Sequence, residues 1–168
     1  MWTEAELKEH LKSGAVKPVY FLFGDESYLC ARYAEKLADL ATDGERDDFN
    51  CLRMDGQECS AEDIEAEAET LPMFVQRKCV IVSDFDVVKH AADLPRLCEL
   101  LEDPPESCVL IFRLCGVQAD VKKNAKWKSF CAAVCKHGAA VELPLRTVAE
   151  AVRLLCGGAK KARIVAWP

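Results

Sequence analysis

Hydrophobic positions come along this chain in two rhythms, and each change of rhythm marks an element. Val19-Tyr20-Phe21-Leu22-Phe23 is an unbroken apolar run of strand-forming residues closed by Gly24. Such a run fits a strand buried on both faces, as in a parallel sheet. From Ser27 to Ala41 the period turns helical, with Leu29, Tyr33, Leu37 and Leu40 on one side. The alternation then repeats: a strand over Phe49 to Met54 is followed by an acidic helix over Ser60 to Thr70. That helix carries a narrow inward stripe of Ala61, Ile64, Ala68 and Leu71. Cys79 to Val82 reads as a strand, Leu94 to Leu101 as a helix, Cys108 to Phe112 as a strand, Lys126 to Lys136 as a helix and Ala140 to Leu143 as a last strand. Asp103-Pro104-Pro105 ends the Leu94 helix, because proline cannot continue it. A short helix opens the chain, with Thr3 and Glu6 at capping-box spacing and Gly14 placed to stop it.

Five strands alternating with helices predict an α/β fold, a three-layer α/β/α sandwich around a five-stranded, mostly parallel sheet. After Pro144 the rhythm changes. Thr147, Val148, Val152 and Leu155 suggest one more helix with no strand to follow, before Gly157-Gly158 and a basic tail. Residues 1–146 are therefore expected to form one domain, and 147–168 the truncated start of a second, helical one.

Composition narrows the class. At 168 residues with 51% hydrophobic and 30% charged content, the chain has ordinary globular chemistry. A net charge of -6 argues against gripping nucleic acid with the whole surface. The ten cysteines are scattered singly, with no Cys-x-x-Cys pair and only three histidines to complete a metal site. Most read as small hydrophobes in a reducing compartment. No apolar run is long enough to span a membrane, so a cytoplasmic protein without metal or cofactor is expected.

Candidate chemistry starts at the strand ends, because an open parallel sheet binds ligands outside them. A phosphate-binding loop needs a second glycine and a lysine after the first strand. Here the text is Gly24-Asp25-Glu26-Ser27, with carboxylates where phosphate oxygens would lie, so the loop is expected to be a degenerate nucleotide site whose side chains cap the next helix. Asp84 and Asp86 after the Cys79 strand resemble a Walker B position. With Asp25 they could instead form a receiver-like acidic pocket, which makes a phosphate-responsive switch the alternative function. Neither a Gly-x-Ser-x-Gly elbow nor a His-Glu-x-x-His motif is present, so no catalytic residue is expected. Leu71-Pro72-Met73-Phe74 leaves two readings open: a staple folded back on its helix, or an exposed anchor for a partner. Lys122, Lys123, Lys126 and Lys128 surround Trp127, either as a solvated helix start or as a contact for nucleic acid or an acidic partner.

In order, Lys17 to Leu29, Asp48-Phe49-Asn50, Leu71-Pro72-Met73-Phe74, Leu101 to Pro105 and Ala159-Lys160-Lys161-Ala162 make the chain resemble the delta subunit of the bacterial DNA polymerase III clamp loader. The resemblance implies a P-loop NTPase-like, AAA+-like first domain with no working nucleotide site, while sister subunits hydrolyse ATP. It implies a non-enzymatic part in DNA replication: binding the sliding clamp (the beta subunit) and favouring its open ring, with DNA met only weakly or indirectly. Met73 and Phe74, supported by Leu71, match the family's hydrophobic clamp-binding protrusion. Family members are longer and join the other loader subunits through a helical collar. For this text, clamp binding is therefore the firmer expectation and assembly into the loader the weaker one.

Overall fold

A computed structural model describes residues 1–145; the expected second-domain start at 147–168 lies outside the described residues. The described chain runs α1 (Glu4–Ser13), β1 (Val19–Phe23), α2 (Ser27–Ala41), β2 (Cys51–Asp55), α3 (Ala61–Glu69), β3 (Lys78–Ser83), α4 (Leu94–Glu102), β4 (Cys108–Arg113), α5 (Ala125–His137) and β5 (Ala139–Glu142). The strands lie in the order β2-β3-β4-β1-β5, and every pairing is parallel.

The unbroken apolar runs are explained by what covers each face. Alternate residues of a strand point to opposite sides. Phe21 and Phe23 of β1, with Val80, Leu110 and Phe112, pack under Ile64 of α3, Leu97 of α4 and Trp127 and Phe130 of α5. Tyr20 and Leu22, with Ile81, Val109 and Ile111, pack under Leu7 of α1 and Leu29, Tyr33 and Leu37 of α2. The outcome is the three-layer sandwich. Aromatic packing concentrates on the first face, where the Phe21 ring stacks parallel to Trp127 at 5.8 Å and meets Phe130 edge-on at 5.0 Å.

Both edges of the sheet are guarded. On β2, Arg53 and the nearby Arg46 pair with Glu35 of α2, charges that discourage edge-to-edge association. Beside β5, the Trp2 N–H donates to the Ala140 carbonyl at 2.8 Å, so the N-terminus covers that edge. The capping box of α1 forms as expected, with Thr3 and Glu6 each satisfying the other's backbone N–H.

Three local expectations fail. Phe49 does not begin a strand, because the Asp47 carboxylate accepts the Phe49 and Asn50 amides and bends the chain into a turn that delays β2 to Cys51. Leu71 is not part of the inward stripe. The α3 helix ends at Glu69, since Leu71 precedes a proline and is disfavoured from helix, which leaves its side chain 76% exposed. The start of α2 has no side-chain cap: Glu26 occupies the cap position and makes no such bond.

Candidate functional site

At the carboxyl end of β1, where a phosphate loop would lie, the backbone that follows β5 packs directly against the turn. Gly24 takes φ 126°, and a methyl added there would lie 2.7 Å from the Leu143 carbonyl carbon. The Leu143 N–H donates to Phe23 O at 2.7 Å, and the Leu143 carbonyl accepts the Glu26 N–H at 3.1 Å. In a phosphate loop that amide would point at an anion. Here it is already satisfied, so Gly24, Asp25, Glu26 and Ser27 form a turn stitched to the segment after β5. Beside the carboxylates of Asp25 and Glu26, the Leu143 carbonyl, far away in sequence, thus takes the amide a phosphate would use, a feature that sequence spacing did not show.

The Walker B-like residue is committed elsewhere too. Asp84 sits at φ 57°, and its Oδ1 accepts the amides of Cys115 and Gly116 at 2.7 Å each and of Val117 at 3.3 Å. It braces the loop after β4. Asp86 accepts the Val88 N–H at 2.9 Å. Asp25, Asp84 and Asp86 do not gather: no cluster of three or more metal-ligating side chains occurs among the described residues. This corrects the acidic-pocket reading: the Asp84 carboxylate is taken up by the loop after β4 and that of Asp86 by an amide two residues on, so the three do not share a site.

The lysine segment lies at the start of α5. Asn124 caps the helix by accepting the Lys126 and Trp127 amides, and Trp127 is buried against Phe21. Lys122, Lys123 and Lys128 are exposed, and the Lys126 ammonium donates to the Val88 carbonyl at 3.3 Å. Lys122 stands 4.0 Å from Glu142, an ion pair open to solvent. These cations crowd the positive end of a helix dipole, an arrangement that favours an anion nearby.

The most unusual surface lies between α3 and β3. Thr70 leaves the helix in an extended conformation, and Leu71, Met73 and Phe74 then project outward. Met73 is 45% exposed and Phe74 is 99% exposed, so the aromatic ring touches almost nothing of its own protein. Its backbone is at φ 62°, a left-handed conformation that costs an L-residue about 1–2 kcal/mol. A bulky residue kept in that state, with its ring in water, is a strained feature of the kind that gathers at functional sites.

Asn50 holds this tip from outside. Its side-chain Nδ2 donates to the Met73 carbonyl at 2.8 Å, and its Oδ1 accepts the Met73 N–H at 2.9 Å. Asn50 is itself buried, and its own carbonyl accepts the Cys79 N–H of β3 at 2.7 Å. Beside it, Cys51 and Cys79 are register partners. The Cys51 thiol is held below its ordinary range by a hydrogen bond from Cys79 and by Arg46 and Arg53, whereas that same bond, and then burial, push Cys79 up. Phe49, one residue before Asn50, is 71% exposed. Sequence reasoning did not select Phe49 or Asn50 as site residues. The available signal was Asp47, whose short carboxylate two and three residues before them favours a turn.

Comparisons with known proteins bear on this arrangement. The family model described as "DNA polymerase III, delta subunit" matches residues 20–136. DNA polymerase III subunit delta of Bacillus subtilis (strain 168) is 38% identical over 74 residues, covering 44% of this chain and 21% of that protein. A solved Bacillus subtilis DNA clamp loader delta protein aligns with a TM-score of 0.74 at 25% identity, over 94% of this chain and 47% of that one. A DNA polymerase III gamma subunit-related protein from Thermotoga maritima aligns with a TM-score of 0.58 at 15% identity, over 90% of this chain and 49% of its own, a likeness of fold alone. The chain therefore spans less than half of the length of these relatives.

Proposed function

Because this chain belongs to the DNA polymerase III delta-subunit family, we propose that it binds the ring-shaped sliding clamp through Leu71, Met73 and Phe74 and favours the open ring during loading onto primed DNA. On this reading it acts by binding alone, in the cytoplasm, with neither cofactor nor catalytic residue of its own. On the same reading, other clamp-loader subunits are further partners, as the family implies.

The observation that carries the proposal is Phe74: a fully exposed aromatic ring on a left-handed backbone, beside exposed Met73 and Leu71. Aromatic residues and methionine are enriched in interface cores, where a few anchors supply most of the affinity. A phosphate-responsive switch is disfavoured by the occupied Glu26 amide and the engaged Asp84 carboxylate. The exposed lysines at the start of α5 are assigned a weaker, salt-sensitive contact with DNA or an acidic partner.

Titration calorimetry of the chain against the cognate sliding clamp tests the main reading. Burying each of Met73 and Phe74 is worth roughly 1.5–3 kcal/mol. The double variant Met73→Ala, Phe74→Ala should therefore bind at least tenfold more weakly. Equal affinity of the variant and the parent protein would sink the proposal.

A further inference from the structure

The tip at Met73-Phe74 is not self-supporting; its pose is set by a turn more than twenty residues earlier in the chain. We propose that the Asp47–Asn50 turn is the second half of the docking surface, with Asn50 positioning Met73 and Phe74 and Phe49 supplying a further apolar anchor. This rests on the clamp-binding reading and adds to it residues that reading does not use.

The Asn50 amide meets the Met73 backbone at both its N–H and its carbonyl, as a neighbouring strand would. That two-point bond fixes the backbone of the residue immediately before the left-handed one, and with it the point from which the Phe74 side chain leaves the surface. Asp47 in turn fixes Asn50. Its Oδ2 accepts from Asn50 Nδ2 at 3.1 Å, and its Oδ1 accepts the Asn50 N–H at 2.7 Å and the Phe49 N–H at 3.1 Å. The side-chain amide therefore cannot turn over without losing partners at both ends.

The same turn that locks Asn50 directs Phe49 into solvent. Phe49 immediately precedes Asn50 and Phe74 immediately follows Met73, so the bonded pair carries an exposed ring on each side in sequence. Phe49, Leu71, Met73 and Phe74 make up half of the large exposed apolar side chains among the described residues, and they leave the surface from these two joined segments. The surface fits an apolar cleft on the clamp broad enough to take two separate aromatic rings. A bracket of this kind also lowers the ordering cost of binding, because the loop is already held in its pose.

The test is titration calorimetry of the 168-residue chain with the cognate clamp, using Phe49→Ala, Asn50→Ala, Phe74→Ala, Asn50→Ala with Phe74→Ala, and Met73→Ala with Phe74→Ala. Phe49→Ala should lose about tenfold in affinity at an unchanged melting temperature, since its ring packs against little. Asn50→Ala should lose several-fold alone and clearly less once Phe74 is already alanine, because part of its effect passes through that ring and the rest through Met73. If the Met73, Phe74 pair matters but Phe49→Ala binds at full strength, or Asn50→Ala costs the same with and without Phe74, the inference fails while the clamp reading stands. If the pair itself binds normally, both fall. Should Asn50→Ala not fold, the exposed Phe49 decides the question.

Discussion

Replacing Phe74 by asparagine should make the protein more stable while removing its clamp contact. The ring is 99% exposed, so truncating it forfeits almost no burial. The backbone at φ 62° costs an L-residue about 1–2 kcal/mol. Asparagine tolerates this region far better than most residues. The gain from Phe74→Asn should be about 1 kcal/mol. Phe74→Gly removes the strain fully but returns about 0.5–1 kcal/mol through the greater freedom of the unfolded chain. Phe74→Ala keeps a Cβ and therefore most of the strain, so it should stay within about 0.5 kcal/mol of the parent. Urea unfolding reads this order directly. With a slope of about 1–3 kcal/mol/M, the asparagine variant should unfold roughly 0.3–1 M later. An asparagine variant no more stable than the parent, or an alanine variant that gains as much, would show that the backbone at Phe74 carries no such cost.

Two further outcomes follow from residues away from the tip. Gly24→Ala should cost about 3 kcal/mol, because its methyl meets the Leu143 carbonyl and its φ is left-handed; Gly44→Ala, left-handed with open space around it, should cost only about 1 kcal/mol. Calorimetric melting of the two variants separates collision from backbone strain, and equal losses would remove the collision from the account. His10 Nε2 and the Tyr20 hydroxyl share a hydrogen bond of 2.7 Å, while that hydroxyl accepts the Lys17 N–H; burial and then the Lys17 charge hold the His10 pKa below its ordinary value. The unfolded chain therefore binds this proton more readily, so the contribution of His10 is complete above about pH 6.5 and is lost as pH falls through the folded value. His10→Gln, which keeps an acceptor for Tyr20, should lose less stability than the parent between pH 7.5 and 5; parallel losses would contradict the assignment.

The parts of this structure legible in the sequence are those set by nearest neighbours and simple periods. Val19 to Phe23 could only be a strand covered on both faces, and all five residues are buried. The helix stop before Pro104 and the Thr3–Glu6 box are local chemistry, and both appear where expected. The misses come from competition or distance. Leu71 keeps the spacing of Ile64 and Ala68, yet Pro72 overrides that spacing. Phe49 looks like a strand residue by type, yet the Asp47 carboxylate captures its amide first. At the tip, the sequence named Met73 and Phe74 but not the means of holding them. The bracket joins Asn50 to a residue 23 positions away, and no period or motif encodes such a distance. The Leu143 carbonyl over the Glu26 amide is hidden for the same reason.

That carbonyl has a consequence for control. A nucleotide fold usually has two settings, full and empty, and loops near the phosphate report which one holds. Here the amide that would sense the difference is answered by the Leu143 carbonyl, which leaves it no free donor for a phosphate. On the proposed reading, presentation of the Phe74 tip then needs no phosphate at this turn, because Asn50 holds the backbone before it.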